Sequence, residues 1–265
     1  MKKERNYLFD NLKLFLIIFV VYGHILGRYL GESGVIRSVY IFIYFFHMPL
    51  FVFVSGFFSK NIEKVRKNSI KDLLIPYIVF SVILSIYDKN INFNILQPGW
   101  TLWYLLSLFF WRYSLKYISK IKHGILISFI AALIVGGISE ISTFLSLSRT
   151  ITFLPFFLLG YNTKEEHLRK LKSYPMAISV VGLGLCFLIA VILAKYKPID
   201  VKLLYLAYPY KTFKMTFLTG IIYRLAIYII MLLSSIFIIR LIPDKKLSIS
   251  RFGKNTMNVY LGHIY

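Results

Sequence analysis

The chain has 265 residues, 58% of them hydrophobic and only 16% charged, with 24 Phe and 20 Tyr and a mean hydropathy of +0.68. Ordinary soluble domains are about 45–50% apolar and about 25% charged, so a water-soluble globule and a disordered chain are both excluded. The net charge of +21 sits in short clusters between apolar runs, a pattern of cytoplasmic loops and anionic headgroups rather than of nucleic-acid binding.

A bilayer crossing needs about 20 mostly apolar residues. In chain order the sequence predicts spans at 8–27, 36–58, 71–88, 100–117, 124–139, 149–161, 175–194 and 216–241. The expected fold is an all-α polytopic bundle of about 9–10 helices. A ninth apolar run starts near Thr256 and reaches Tyr265, too short to cross, so the expectation is a last helix cut within the given sequence. The first run lacks an A-x-A-like cleavage site and is read as a retained helix, not a signal peptide. Pro49, Pro76 and Pro155 lie in or beside spans, where neighbouring helices can satisfy the freed carbonyls. Cys186 stands alone in an apolar run, so there is no disulfide framework.

Basic clusters mark every second connection. Lys2, Lys3 and Arg5 precede span one; Lys60, Lys64, Arg66 and Lys67 follow span two; Arg112, Lys116, Lys120 and Lys122 follow span four. Lys164, Arg169, Lys170 and Lys172 follow span six, and Arg240, Lys245, Lys246, Arg251 and Lys254 follow span eight. The positive-inside rule places these and the N-terminus in the cytoplasm. Asp88, Lys89 and Glu140 mark the sparse loops between. Segment 195–215 breaks the pattern with Lys195, Lys197, Lys202, Lys211 and Lys214: it binds something anionic, or one span is misplaced.

Ionisable groups inside a span are costly and count as functional candidates. Span one holds Lys13 and His24, eleven residues apart. That is three turns plus about 20°, on one helix face, with about 16 Å between them along the axis. A cation for a phosphate and a base for a hydroxyl fit this spacing; so do a snorkelling lysine and a histidine bonded to a neighbouring helix. Span two carries Tyr44-Phe-Phe-His47-Met-Pro49-Leu-Phe51, then Ser55-Gly56, either a bent helix around a cavity or a kinked packing helix. Lys67 and Lys71 are four residues apart and share a helix face, suited to phosphate or to lipid headgroups. Trp100-Thr-Leu-Trp103-Tyr104 reads as an aromatic belt or a sugar-stacking platform. Arg149 precedes Pro155-Phe-Phe-Leu-Leu-Gly160 and is an interfacial anchor or a binding residue. His123, His167 and His263 are scattered. The sequence has no H-E-x-x-H, G-x-S-x-G, P-loop or Cys/His metal spacing.

Taken together, Asp10-Asn-Leu-Lys13 through Gly23-His24, Phe46-His-Met-Pro-Leu-Phe51 with Ser55-Gly56, Lys71 to Tyr77, Trp103-Tyr-Leu105 and Gly253 through His263 resemble, in order, the acyltransferase-3 family of integral membrane acyltransferases. The Asp-Asn-Leu-Lys opening and the Arg149 segment are most similar to the branch related to fucose 4-O-acetylase. One departure is that Lys67 and Lys71 stand where many members carry two arginines separated by two residues.

The resemblance implies one transmembrane domain over 1–265 and transfer of an acyl group, usually acetyl, from cytoplasmic acyl-CoA to a sugar hydroxyl of an envelope or exported glycan. It implies no tightly bound cofactor; acetyl-CoA is a co-substrate, and the partners are membrane lipids and a carbohydrate acceptor, not nucleic acid. It places the chain in a cell membrane, a bacterial inner membrane. On this reading His24 is the base, for direct attack or an acyl relay, and Lys13 stabilises charge or steers the coenzyme. His47, Arg149 and Trp103 contact the acceptor, and Lys67 and Lys71 the acyl-CoA. The alternatives are a transporter or flippase for a lipid-linked or acylated sugar, which usually shows repeated halves not evident here, and a noncatalytic scaffold.

Overall fold

The computed structural model describes residues 6–87, 94–99, 101–196, 199–254 and 256–263. Lys2, Lys3, Arg5, Asp88, Lys89, Trp100, Lys197 and Tyr265, used in the sequence reading, lie outside the described residues. The described chain is helical, with no strand. Six helical stretches among these residues are long and apolar enough to cross a membrane. This is a multi-pass, all-α membrane protein.

Each predicted span coincides with helix, and two further helices, Ile62–Ser69 and Glu165–Ser173, lie in segments read as basic connections. α1 is Tyr7–Leu26, α2 Gly34–Tyr44 and α3 His47–Phe57. α4 is Ile62–Ser69, α5 Ile75–Tyr87, α6 Trp103–Ile118, α7 Gly124–Ile134 and α8 Leu147–Asn162. α9 is Glu165–Ser173, α10 Met176–Lys195, α11 Phe217–Leu241 and α12 Thr256–Gly262.

Two of the eight predicted spans, 100–117 and 124–139, form the shorter helices Trp103–Ile118 and Gly124–Gly137, which are not among the six, and two others differ in detail. The second is broken into α2 and α3 at Phe45-Phe46, four residues before Pro49. Proline removes an N–H and clashes with the carbonyl four residues earlier, here that of Phe45. The Ser234 hydroxyl on α11 reaches this carbonyl at 3.0 Å, sharing its proton with the Ile230 carbonyl at 2.7 Å. The third span starts nine residues earlier than predicted, because α4 continues through a π-helical turn, Ile70–Leu74, into α5. The wide turn ends two residues before Pro76, and prolines and π-bulges are both established sites of helix kinks.

Contacts divide the chain into two compact units. The first holds residues up to Val54, Thr163–Leu204 and the chain from Ile227 onward. Its α2 packs along α10, and α1 packs on α2, on α12 and on the 3₁₀ segment Ser248–Lys254. Asn11 ties the start of α1 to the connection after α11: its amide donates to the Pro243 and Lys245 carbonyls at 2.8 and 3.0 Å and accepts from Ser250 Oγ at 2.6 Å. Both segments were predicted on the same membrane side, and they meet. On α9, the Lys172 ammonium donates to the Arg240 and Ile242 carbonyls at the end of α11, and burial lowers its pKa.

The second unit holds Ser55–Asn162 and Tyr205–Ala226. Here α7 packs on α8, and α4 and α8 on α6. At Gly56 a Cβ would overlap the Phe157 carbonyl, so only glycine permits this crossing of α3 and α8. The short α7 ends under the Tyr205–Phe213 stretch. Arg224 Nη1 donates to Ala132 O at 2.9 Å and Tyr210 OH to Leu133 O at 2.6 Å, with the guanidinium 4.6 Å from the Tyr210 ring centre. Burial raises the Tyr210 pKa. Lys202, Lys211 and Lys214 of the lysine-rich segment are exposed.

Candidate active site

His24 stands in the last turn of α1, a helix opened by the Asn6 side chain accepting from Phe9 N. One residue before it, Gly23 is buried where α1 meets α2; a Cβ there would lie 3.3 Å from Ile43 Cγ2. The close approach fixes the backbone that carries the imidazole. His24 Nδ1 is 2.7 Å from His263 Nε2, and the two rings lie edge to edge, with centroids 4.8 Å apart and planes within 15° of each other. His263 ends α12, where its Nδ1 donates to the Tyr260 carbonyl at 2.7 Å, with the Val259 carbonyl at 3.2 Å. Two nitrogens on one tetrahedral zinc stand about 3.3 Å apart; 2.7 Å is hydrogen-bond spacing.

Lys13 and His24, the two ionisable groups read from span one, are both half-buried on α1. The Lys13 ammonium pairs with Asp10 Oδ1 at 3.5 Å, and Asp10 is itself buried. An i,i+3 ion pair on one helix contributes about 0.2–0.5 kcal/mol.

His47 opens α3 and is 2% exposed. Its Nδ1 donates to the Ile43 carbonyl at 2.8 Å, and its ring stands edge-on to Tyr44. Ile43 lies four residues earlier, across the break, so His47 supplies from its side chain a bond to the broken ladder.

In the second unit two of the predicted residues come together. The Arg149 guanidinium lies 5.0 Å from the Trp103 ring centre, and both residues are buried. Trp103 also packs on Phe153, with centroids 5.2 Å apart. It is therefore neither an exposed belt residue nor an open platform. Arg149 stands in the first turn of α8, where the helix dipole disfavours a cation and an aromatic face offsets that cost. This end of α8 is held firmly. Ser148 and Thr152 each donate to the Leu206 carbonyl at 3.1 Å, and Trp111 Nε1 donates to Thr150 O at 2.8 Å.

Lys67 on α4 and Lys71 in the π turn are exposed. Near them the Arg66 guanidinium stacks 4.9 Å from the Tyr113 ring centre. A separate cavity of about 480 Å³ in this unit is lined by Ile118, Ile121, His123, Phe129, Leu158 and Asn162, with none of the predicted site residues among them.

No curated protein and no solved structure matches the chain. The sequence model of one family, acyltransferase 3, described as an acyltransferase domain, matches residues 6–265.

The chain belongs to the acyltransferase 3 family.

The match runs through both units and includes every candidate site residue discussed above. As a membrane acyltransferase the protein handles an acyl donor and an acceptor. Acyl transfer to a hydroxyl needs a group that takes its proton and a means of holding the donor carbonyl near the oxygen. An imidazole is suited to the first task, and α1 carries His24. The sequence reading missed three side chains. His263 was left among the scattered histidines, because no local pattern marks a partner 239 positions away. Asn11 was quoted only as part of a motif, yet it ties the Pro243–Ser250 connection to α1. Arg224 lies within span eight, so the rule that singled out Lys13 and His24 also points to it; its bonds make it a clamp on α7.

Proposed function

We propose that this acyltransferase moves an acetyl group from acetyl-CoA to a sugar hydroxyl of an envelope or exported glycan, as its resemblance to the fucose 4-O-acetylase branch suggests. The family match across residues 6–265 carries the reading. The proposed setting is a bacterial inner membrane with the N-terminus in the cytoplasm, from which acetyl-CoA is drawn.

In the proposed reaction His24 Nε2 accepts the acceptor hydroxyl proton as the oxygen attacks the thioester carbonyl. The tetrahedral intermediate collapses, the C–S bond breaks, and the coenzyme A thiolate leaves and recovers the proton from the imidazolium. A thioester is already activated, so a base and positioning suffice. Lys13 supports the charge that develops or steers the anionic coenzyme. Lys67 and Lys71 offer exposed cations to its phosphates. His47 and Arg149 serve the acceptor, with Trp103 holding the Arg149 guanidinium.

The test is transfer of radiolabel from acetyl-CoA to membrane glycan, comparing the wild-type protein with His24→Ala at equal expression. Label in glycan that depends on His24 supports the reading. Equal label in both membranes would exclude His24 as the base.

A further inference from the structure

The hydrogen-bond network around the two paired histidines assigns their protons. His263 Nδ1 faces two carbonyl oxygens, Tyr260 O at 2.7 Å and Val259 O at 3.2 Å. A carbonyl only accepts, so Nδ1 carries the hydrogen. In a neutral imidazole the other nitrogen is then an acceptor, and His263 Nε2 presents its lone pair. His24 Nδ1, 2.7 Å away, must donate. A neutral His24 with hydrogen on Nδ1 holds its lone pair on Nε2.

We propose that His263 is a positioning residue for His24, fixing it in the Nδ1–H tautomer so that Nε2 is the basic nitrogen. This rests on the reading that His24 is the base. The chain of groups runs from the Tyr260 carbonyl through the His263 ring to the His24 ring, each member oriented by the one behind it. In hydrolases of the Ser-His-Asp type a buried acceptor does the same for its histidine, and losing the correct tautomer there costs about 10⁴-fold in rate. A neutral histidine acceptor adds no charge, so it stabilises the imidazolium less than a carboxylate does. Its contribution is to tautomer and ring orientation. The ring planes lie within 15° of each other, as an in-plane N–H···N bond between the two imidazoles requires.

The experiment uses the full chain in lipid nanodiscs with ¹⁵N-labelled histidine at pH 8, above the ordinary imidazole pKa of about 6.5. Two-bond ¹H–¹⁵N correlation spectra distinguish the tautomers, and His24→Gln identifies the His24 signals. The expected wild-type result is the Nδ1–H form. His263→Phe keeps ring bulk and removes the acceptor. It should return His24 to the Nε2–H form that imidazole favours in water. It should also lower kcat for acetyl transfer to membrane glycan at least about 100-fold, with KM for acetyl-CoA within about twofold. His263→Gln can place its amide oxygen where Nε2 stood, and should retain the Nδ1–H form and restore much of the rate. An Nε2–H form in the wild type, or a tautomer and a kcat untouched by His263→Phe, would overturn the proposal. Were His263→Phe unstable, the wild-type and His263→Gln spectra would still decide the tautomer. The two readings fail separately: full transfer by His24→Ala removes the base role, whereas an inactive His24→Ala beside an unaffected His263→Phe removes only the role of His263.

Discussion

Gly253 sits against the backbone of Asp10 so closely that a Cβ would overlap the Asp10 carbonyl. The contact seats the 3₁₀ segment Ser248–Lys254 on the opening turns of α1. It therefore sets where α12 begins, and α12 carries His263 to His24.

Gly253→Ala must push the segment off α1. It is expected to lower the thermal midpoint of the purified protein by several degrees and to reduce acetyl transfer with it. Gly184→Ala is the control, since a Cβ there meets nothing within 4 Å. Alanine is also the better helix former by about 1 kcal/mol, so that variant should melt no lower than wild type. Thermal melts of both in one detergent make the comparison.

Asn11 makes three hydrogen bonds to the connection after α11. Asn11→Ala leaves two carbonyls and a serine hydroxyl without it, and buried groups left unpaired cost about 1–3 kcal/mol. Asn11→Asp keeps an acceptor for Ser250 but loses both donations and sets a carboxylate against two carbonyls. It should not rescue stability. Denaturation of the two variants beside wild type checks the order.

Arg149 and Trp103 should behave as a coupled pair. A cation over an aromatic face contributes about 0.5–2 kcal/mol depending on desolvation. In a double-mutant cycle on acceptor kcat/KM, Arg149→Gln and Trp103→Leu should therefore be non-additive. Arg149→Lys keeps charge without the planar stack and should recover only part of the activity. Additive effects in the cycle would mean that the pair does not act together.

Lys13→Met should lower kcat/KM for acetyl-CoA by about tenfold, equivalent to about 1.4 kcal/mol, while Lys13→Arg retains most of it. Asp10→Asn removes the carboxylate 3.5 Å from the ammonium and should change this parameter much less, because an i,i+3 ion pair on one helix contributes about 0.2–0.5 kcal/mol. Steady-state kinetics across a range of acetyl-CoA concentrations separates the three.

Lys67 and Lys71 are exposed, so any attraction they exert on coenzyme phosphates is screened by salt. The Lys67→Ala/Lys71→Ala double variant is expected to raise KM for acetyl-CoA at low ionic strength, with kcat unchanged. The difference from wild type should shrink as salt rises. A KM insensitive to both the substitutions and salt would remove them from the donor site.

The amino-acid sequence by itself determined the fold class and the places of the apolar helices, though not the basic helices α4 and α9. Twenty or so apolar residues have to satisfy their own backbone in lipid, and a helix does that locally. Pro49 announced a bend, and Lys13 and His24 stood out because ionisable groups are rare in such segments. The Lys13/His24 face needed only the helical repeat. Pairings between distant segments were not legible. Nothing near His24 in the chain indicates His263, nothing near Phe45 indicates that Ser234 will reach its carbonyl, and nothing around Trp103 indicates that Arg149 will take its face. Apolar helices resemble one another in composition, so hydropathy states that they pack without stating which pack together. That choice is made by close-approach glycines such as Gly253 and Gly56 and by the few buried polar groups that must find partners. It was the tertiary structure that turned a lone histidine into one of a hydrogen-bonded pair.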